Sequence, residues 1–236
     1  VTVTLATGED RLWAYLVVPV LVLQLASALA YGIYFALADI RPDLALFIPA
    51  GQVTFGLYVV IAAVEWSLAL SIIRRLRQSG GSARELIALE GHPLRFRWLP
   101  AALMFVGVNV IMAAMMAMLA ALQSAYSGFS YYEGLHVWQL LLFLSAVPVS
   151  AGFCEELIWR GYAITRLEAR GRGRSTTVLL SAISFALIHS PLHWPFTFLF
   201  GIVTGYYYVR ERNLMPLMVT HTLVDLWSFG WFLFLR

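Results

Sequence analysis

The chain has 236 residues, of which 61% are hydrophobic and only 12% charged, and its mean hydropathy is +0.77. The charge content is about half that of ordinary soluble domains, and several apolar runs reach the roughly 18–20 residues that cross a bilayer as helix. This excludes a soluble globular protein and leaves no segment long enough for a second, soluble domain. The formal charge of +3 comes from arginine alone among the basic residues, in stretches that flank apolar runs, so no nucleic-acid partner is expected.

Seven spans follow in chain order, at about 12–38, 44–73, 98–122, 137–159, 176–189, 195–209 and 217–235. The fold class expected is all-α, a single polytopic membrane domain over 1–236. The first run is too long for the apolar region of a signal peptide and reads as a retained span. Gly80-Gly81-Ser82 punctuates the loop after the second span, and Gly171 to Ser175 the loop after the fourth.

Arginines set the expected orientation. Arg11, the group from Arg74 to Arg97, the group from Arg160 to Arg174, and Arg210 with Arg212 fall on one side of the alternating spans, with Arg41 and Arg236 on the other. The positive-inside rule then puts the N-terminus in the cytoplasm. The fifth and sixth spans hold only about 14–15 apolar residues each, roughly 21–23 Å of helix against a hydrocarbon core of about 30 Å. Either their connection, Ser190 to Pro195, lies below the outer surface and lines a wet pocket, or the helices begin earlier and cross fully.

Ionisable residues inside these spans are the chief functional signal, because each costs roughly 2.5–3.5 kcal/mol on insertion scales. Glu155 and Glu156 end the fourth run and Arg160 follows; His189 closes the fifth run; His221 and Asp225 lie in the last. Glu156 and Arg160 are four apart and share a helix face, whereas Glu155 points about 100° away. Two acids in different environments titrate differently, which is how one carboxylate becomes a general base. The bland alternative is a charge cluster at the membrane edge, with Arg160 snorkelling to the surface. His221 and Asp225 also share a face, so the acid is placed to orient the imidazole. His193 lies in a connection. Glu65 and Asn109 read first as packing or hydration residues, and Cys154 as a small buried apolar residue rather than a nucleophile. The chain has neither a supported serine nucleophile nor the two-histidine helix motif of zinc peptidases. The residues alone describe a water-activating site, with or without a metal.

Glu155-Glu156-Leu157-Ile158-Trp159-Arg160 resembles the EExxxR motif of the CAAX protease and bacteriocin-processing (CPBP, or ABI) family. Phe185 to His189 resembles its FxxxH motif, His221 to Asp225 its HxxxN/D motif, and Phe200 to Gly205 the stretch between them. The resemblance covers about residues 137–230; residues 1–136 carry no assignable motif. It implies an intramembrane endopeptidase of glutamate type, a class formerly described as metalloproteases. By that resemblance Glu155 is the base that activates water and His189 assists. Glu156 and Arg160 hold the site, and His221 with the residue at 225 receives the oxyanion. Eukaryotic prenyl-protein members tend to have Asn where this chain has Asp225, and an ionised Asp donates no hydrogen bond. Asp225 is therefore expected to orient His221 or to carry a proton. No cofactor is expected, with zinc the alternative. The expected partners are the lipid bilayer and a membrane-associated protein or peptide substrate, and the expected location is a prokaryotic cytoplasmic membrane. A proton-coupled transporter and a non-enzymatic immunity or scaffold protein are the rival readings.

Overall fold

The computed structural model describes residues 12–40, 49–82, 84, 87, 98–122 and 134–234. Arg11, Arg41, Arg95, Arg97 and Arg236, used for the orientation, lie outside them, as do residues 44–48 of the second expected span. Among the described residues helices account for the regular structure, and strands are absent. The first three helices are α1 (Leu12–Ile40), α2 (Ala50–Gln78) and α3 (Trp98–Leu122). The fourth pass runs over Val137–Ala169. It comprises α4 (Val137–Phe143), α5 (Ala146–Glu155), a π-helical segment (Glu156–Ile164) and α6 (Thr165–Ala169). Then come α7 (Arg174–Leu187), a 3₁₀ turn (Pro191–His193), α8 (Trp194–Glu211) and α9 (Met215–Phe234). The helical passes are those expected of a polytopic membrane protein.

Local chemistry explains the breaks. Pro148 has no N–H for the Leu144 carbonyl, and its ring would meet that carbonyl in a continuous helix; the chain resets at Leu144-Ser145 between α4 and α5. After α2 the Gly81 N–H bonds the Leu76 carbonyl, and after α6 the Arg172 N–H bonds the Leu167 carbonyl. These are six-to-one closures around Gly80 and Gly171, both at positive φ. Arg212 ends α8 at φ 49°, unusual for a residue with a Cβ. Its guanidinium is held 2.5 Å from Glu168 of α6 and lies over the Tyr208 ring.

Two expected boundaries move. The fourth span continues past Trp159 to Ala169, because Glu156 to Ile164 are all buried inside the protein rather than at a membrane edge. The fifth pass stays short: α7 has 14 residues, about 21 Å, whereas α8 has 18, about 27 Å. The connection from Ser190 to His193 therefore follows a helix shorter than the hydrocarbon core.

Helices close on one another where side chains are small. A Cβ on Gly201 would sit 2.9 Å from that of Ala182, which sets the α7–α8 approach, and one on Gly152 would strike Thr222 of α9. The resulting core joins the π segment, α7, α8 and α9. α1 and α2 pack against it from one side and α3 from another.

Candidate active site

The six polar residues singled out above come from the fourth, fifth and seventh passes and meet in this core. Glu155 is the last residue of α5 and Glu156 the first of the π segment, so the paired acids straddle a change of helical pitch. π segments are rare and concentrate at functional sites. Glu156 and Arg160 are fully buried, with Arg160 Nε 3.3 Å from Glu156 Oε2. The membrane-edge alternative, with a solvated Arg160, is not what the structure has.

Arg160 Nε donates to Thr204 Oγ1 of α8 at 3.0 Å. Its guanidinium lies over the Phe185 ring at 4.0 Å and near the Phe200 ring at 5.4 Å. A guanidinium is weakly hydrated and stacks well on aromatic faces, so this cage suits arginine and not lysine. The charge balances Glu156, whose other oxygen reaches across to α9.

There, His221 Nδ1 lies 2.8 Å from Glu156 Oε1. A carboxylate oxygen accepts, so Nδ1–H is the donor. Nε2 then faces Glu155 Oε2 at 3.6 Å and Asp225 Oδ2 at 3.8 Å. The closer orienting partner of His221 is thus Glu156, not Asp225, because the π segment brings the acid under the ring whereas the i, i+4 geometry of α9 leaves Asp225 further off. Asp225 is also the more open side chain, 24% exposed against 6% for Glu155.

His189 follows the C-terminal end of α7. Its Nδ1 lies 2.9 Å from the Phe185 carbonyl, which accepts only; Nδ1 is the protonated nitrogen and Nε2 keeps its lone pair. The His189 and His221 rings both pack on Phe185, with centroids 4.8 and 6.0 Å away. Gln24 of α1 pins this corner by donating to the Leu187 and His189 carbonyls at 2.6 and 2.7 Å, and Trp194 Nε1 donates to the latter at 2.9 Å.

Other candidates stay apart or turn inward. His193 Nδ1 pairs with Ser190 Oγ at 2.7 Å within the connection. Asn109 donates back to the Phe105 carbonyl of its own helix. Cys154 is wholly buried, packed into the apolar core on the one hand and close to Glu65 and Glu155 on the other. Among the described residues no three His, Cys, Asp or Glu side chains converge as a metal would require.

Three parts of the site were not legible as such. Thr204 has no motif signal beyond lying inside the Phe200–Gly205 stretch. Phe185 and Phe200 belong to motif stretches, but their role as a cage for Arg160 depends on the α7–α8 approach. Glu65, read above as a packing residue, is 2% exposed, and its carboxyl group lies within hydrogen-bonding reach of Glu155. Its one sequence signal is the cost of an acid in a span.

A shallow apolar recess of about 10 Å³ adjoins the site between α3 and α8, lined by Val108, Ile111, Phe196, Leu199, Phe200 and Val203. The Phe200 ring that walls it lies 5.0 Å from the His221 ring.

Residues 136–227 match the family model described as type II CAAX prenyl endopeptidase Rce1-like. The match covers the passes that bring the polar residues together and agrees with the CPBP resemblance. At the level of the family it indicates an intramembrane endopeptidase, which implies a peptide substrate. No curated protein and no solved structure matches the chain.

Proposed function

We propose that this chain hydrolyses a peptide bond in a membrane-associated protein or peptide, using a water activated by Glu155. The observation that carries the reading is the division of labour between the paired acids. Glu156 is committed to Arg160 and His221. Glu155 Oε2 is buried with no hydrogen-bond donor on it among the described residues, as a proton acceptor requires.

In the proposed reaction the water oxygen attacks the scissile carbonyl carbon, and Glu155 takes one of the water's protons. His189 Nε2 accepts the other O–H as a hydrogen bond and aims the oxygen. His221, protonated on both nitrogens, gives Nδ1–H to Glu156 and Nε2–H to the developing oxyanion. Arg160 holds Glu156 in place. The intermediate collapses when Glu155 returns its proton to the leaving nitrogen and the C–N bond breaks. Asp225 Oδ2 lies on the Nε2 side of His221, 3.8 Å away. The arginine-rich helix ends are proposed to face the cytoplasm.

The test uses purified protein in liposomes with three probes: a farnesylated peptide ending in a CAAX sequence, the same peptide without the lipid, and a single-span membrane reporter. Mass spectrometry should find new termini on at least one probe, and these should be lost with Glu155→Gln. No cleavage of any probe, or equal cleavage by the variant, would overturn the assignment. Proton flux across the same liposomes would instead favour the transporter reading. Full activity is expected after exhaustive chelation; loss restored by zinc would place a metal in the reaction.

A further inference from the structure

Glu65 sits in α2, outside the matched residues 136–227, and no motif includes it. The register of α2 against the core is fixed next to it: Trp66 stacks on Phe153 of α5 with centroids 5.6 Å apart and planes 21° apart. That contact turns Glu65 inward toward the end of α5, where its carboxyl group comes within hydrogen-bonding reach of Glu155. Both residues are buried. Glu65 Oε1 and Glu155 Oε2 have no N–H or O–H partner among the described residues. Of the charged groups of the core, His221 faces Glu155, its Nε2 3.6 Å from Glu155 Oε2 and beyond hydrogen-bond distance. Arg160 Nε is turned to Glu156 and Thr204, and His221 Nδ1 to Glu156.

Two adjacent buried carboxylates with no cation between them repel strongly, whereas two carboxyl groups holding one proton form a short, charge-assisted bond. We infer that Glu65 and Glu155 share a single proton, and that Glu65 is a positioning residue for the proposed reaction. With the proton on Glu65, its O–H donates to Glu155 and leaves Glu155 ionised, with its remaining lone pairs directed at the water. Without Glu65, the donor left beside that carboxylate is His221 Nε2, at 3.6 Å, which the proposed reaction commits to the oxyanion. The inference rests on the proposed role of Glu155 for its catalytic meaning, but the shared proton is measurable without any substrate.

The groups facing the pair are Cys154 of α5, Arg160 of the π segment, and His221 and Asp225 of α9. They are common to the parent protein and its variants, so differences between them isolate the pair. Infrared spectra of the full chain in liposomes at neutral pH should contain the C=O stretch of a buried protonated carboxyl. It should vanish in Glu65→Gln and, independently, in Glu155→Gln, because the introduced amide donates to the remaining carboxylate and no proton need be held. A band absent from the parent protein, or one surviving in either variant, would overturn the shared proton.

Cleavage of whichever probe the parent protein accepts gives the second reading. A pair active with one proton loses activity as pH rises and the second proton leaves. Glu65→Gln cannot lose that proton, so its activity should persist to higher pH. Glu65→Leu removes the anchor and should lower the rate on the order of 10²-fold. An alkaline limb unchanged in Glu65→Gln would overturn the positioning role. Because the infrared result needs no turnover, failure of the endopeptidase reading leaves a spectrum that still reports on the pair.

Discussion

The N-terminal helices and the C-terminal passes answer to different solvents. In the most apolar stretches of α1 and α2 only 17% of residues are buried by protein, against 33% in the pass over Val137–Ala169. α1 turns Leu21, Leu25 and Ile33 outward, each more than half exposed, toward the apolar medium its composition requires. The π segment exposes nothing; all nine of its residues are buried. One region is solvated by lipid and needs only apolar surface there. The other is solvated by protein, and its polar groups face one another across helices. Glu65 is where the lipid-facing half sends an acid into the protein-packed half.

Cutting a catalytic group from the packed half should have the largest effect. Glu155→Gln keeps the shape of the side chain but accepts no proton, so cleavage should fall at least about 10²-fold. Size-exclusion and thermal profiles should stay those of the parent. Retained cleavage would move the base to another residue.

Arg160→Ala tests packing and chemistry together. It strands Glu156 as a buried charge facing His221 and empties the space between Phe185 and Phe200. Breaking a buried pair in this way costs about 3–5 kcal/mol, so folded yield and activity should fall together. Arg160→Lys should rescue only part, because an ammonium fills the aromatic cage poorly.

Helix approach comes next. Gly201→Leu forces a side chain into Ala182 and should destabilise the α7–α8 pair by about 1–3 kcal/mol, read as a lower thermal midpoint in detergent. The least effect belongs to the lipid-facing surface: Leu25→Ala, at a residue 60% exposed, should change stability by no more than about 0.5 kcal/mol and leave cleavage unchanged. A large effect there would mean that α1 carries a function beyond pinning the His189 corner through Gln24.

Much of this was legible in the chain because a bilayer makes polar residues conspicuous. Glu155, Glu156, Arg160, His189, His221 and Asp225 stand out against apolar runs, and their order and spacing carry the family resemblance. The helical passes were equally legible, since no other open structure satisfies backbone polar groups in lipid. Partner choice was not. Local spacing pairs His221 with Asp225, yet Glu156, distant in sequence, lies 1.0 Å closer to the ring, at 2.8 Å against 3.8 Å. Nor did periodicity distinguish Glu65 from a packing residue.

Composition and spacing, then, determined that the chain is a helical membrane protein and which side chains are too costly to be idle, because insertion energy is a property of each residue taken alone. Tertiary structure decided which of them touch. The π segment sets the direction of Glu156 and Arg160, the close approach at Gly201 and Ala182 brings Phe185, Phe200 and Thr204 around the guanidinium, and the Trp66–Phe153 contact turns Glu65 to Glu155. Each is a relation between helices brought together by packing, and no periodicity within one helix encodes it.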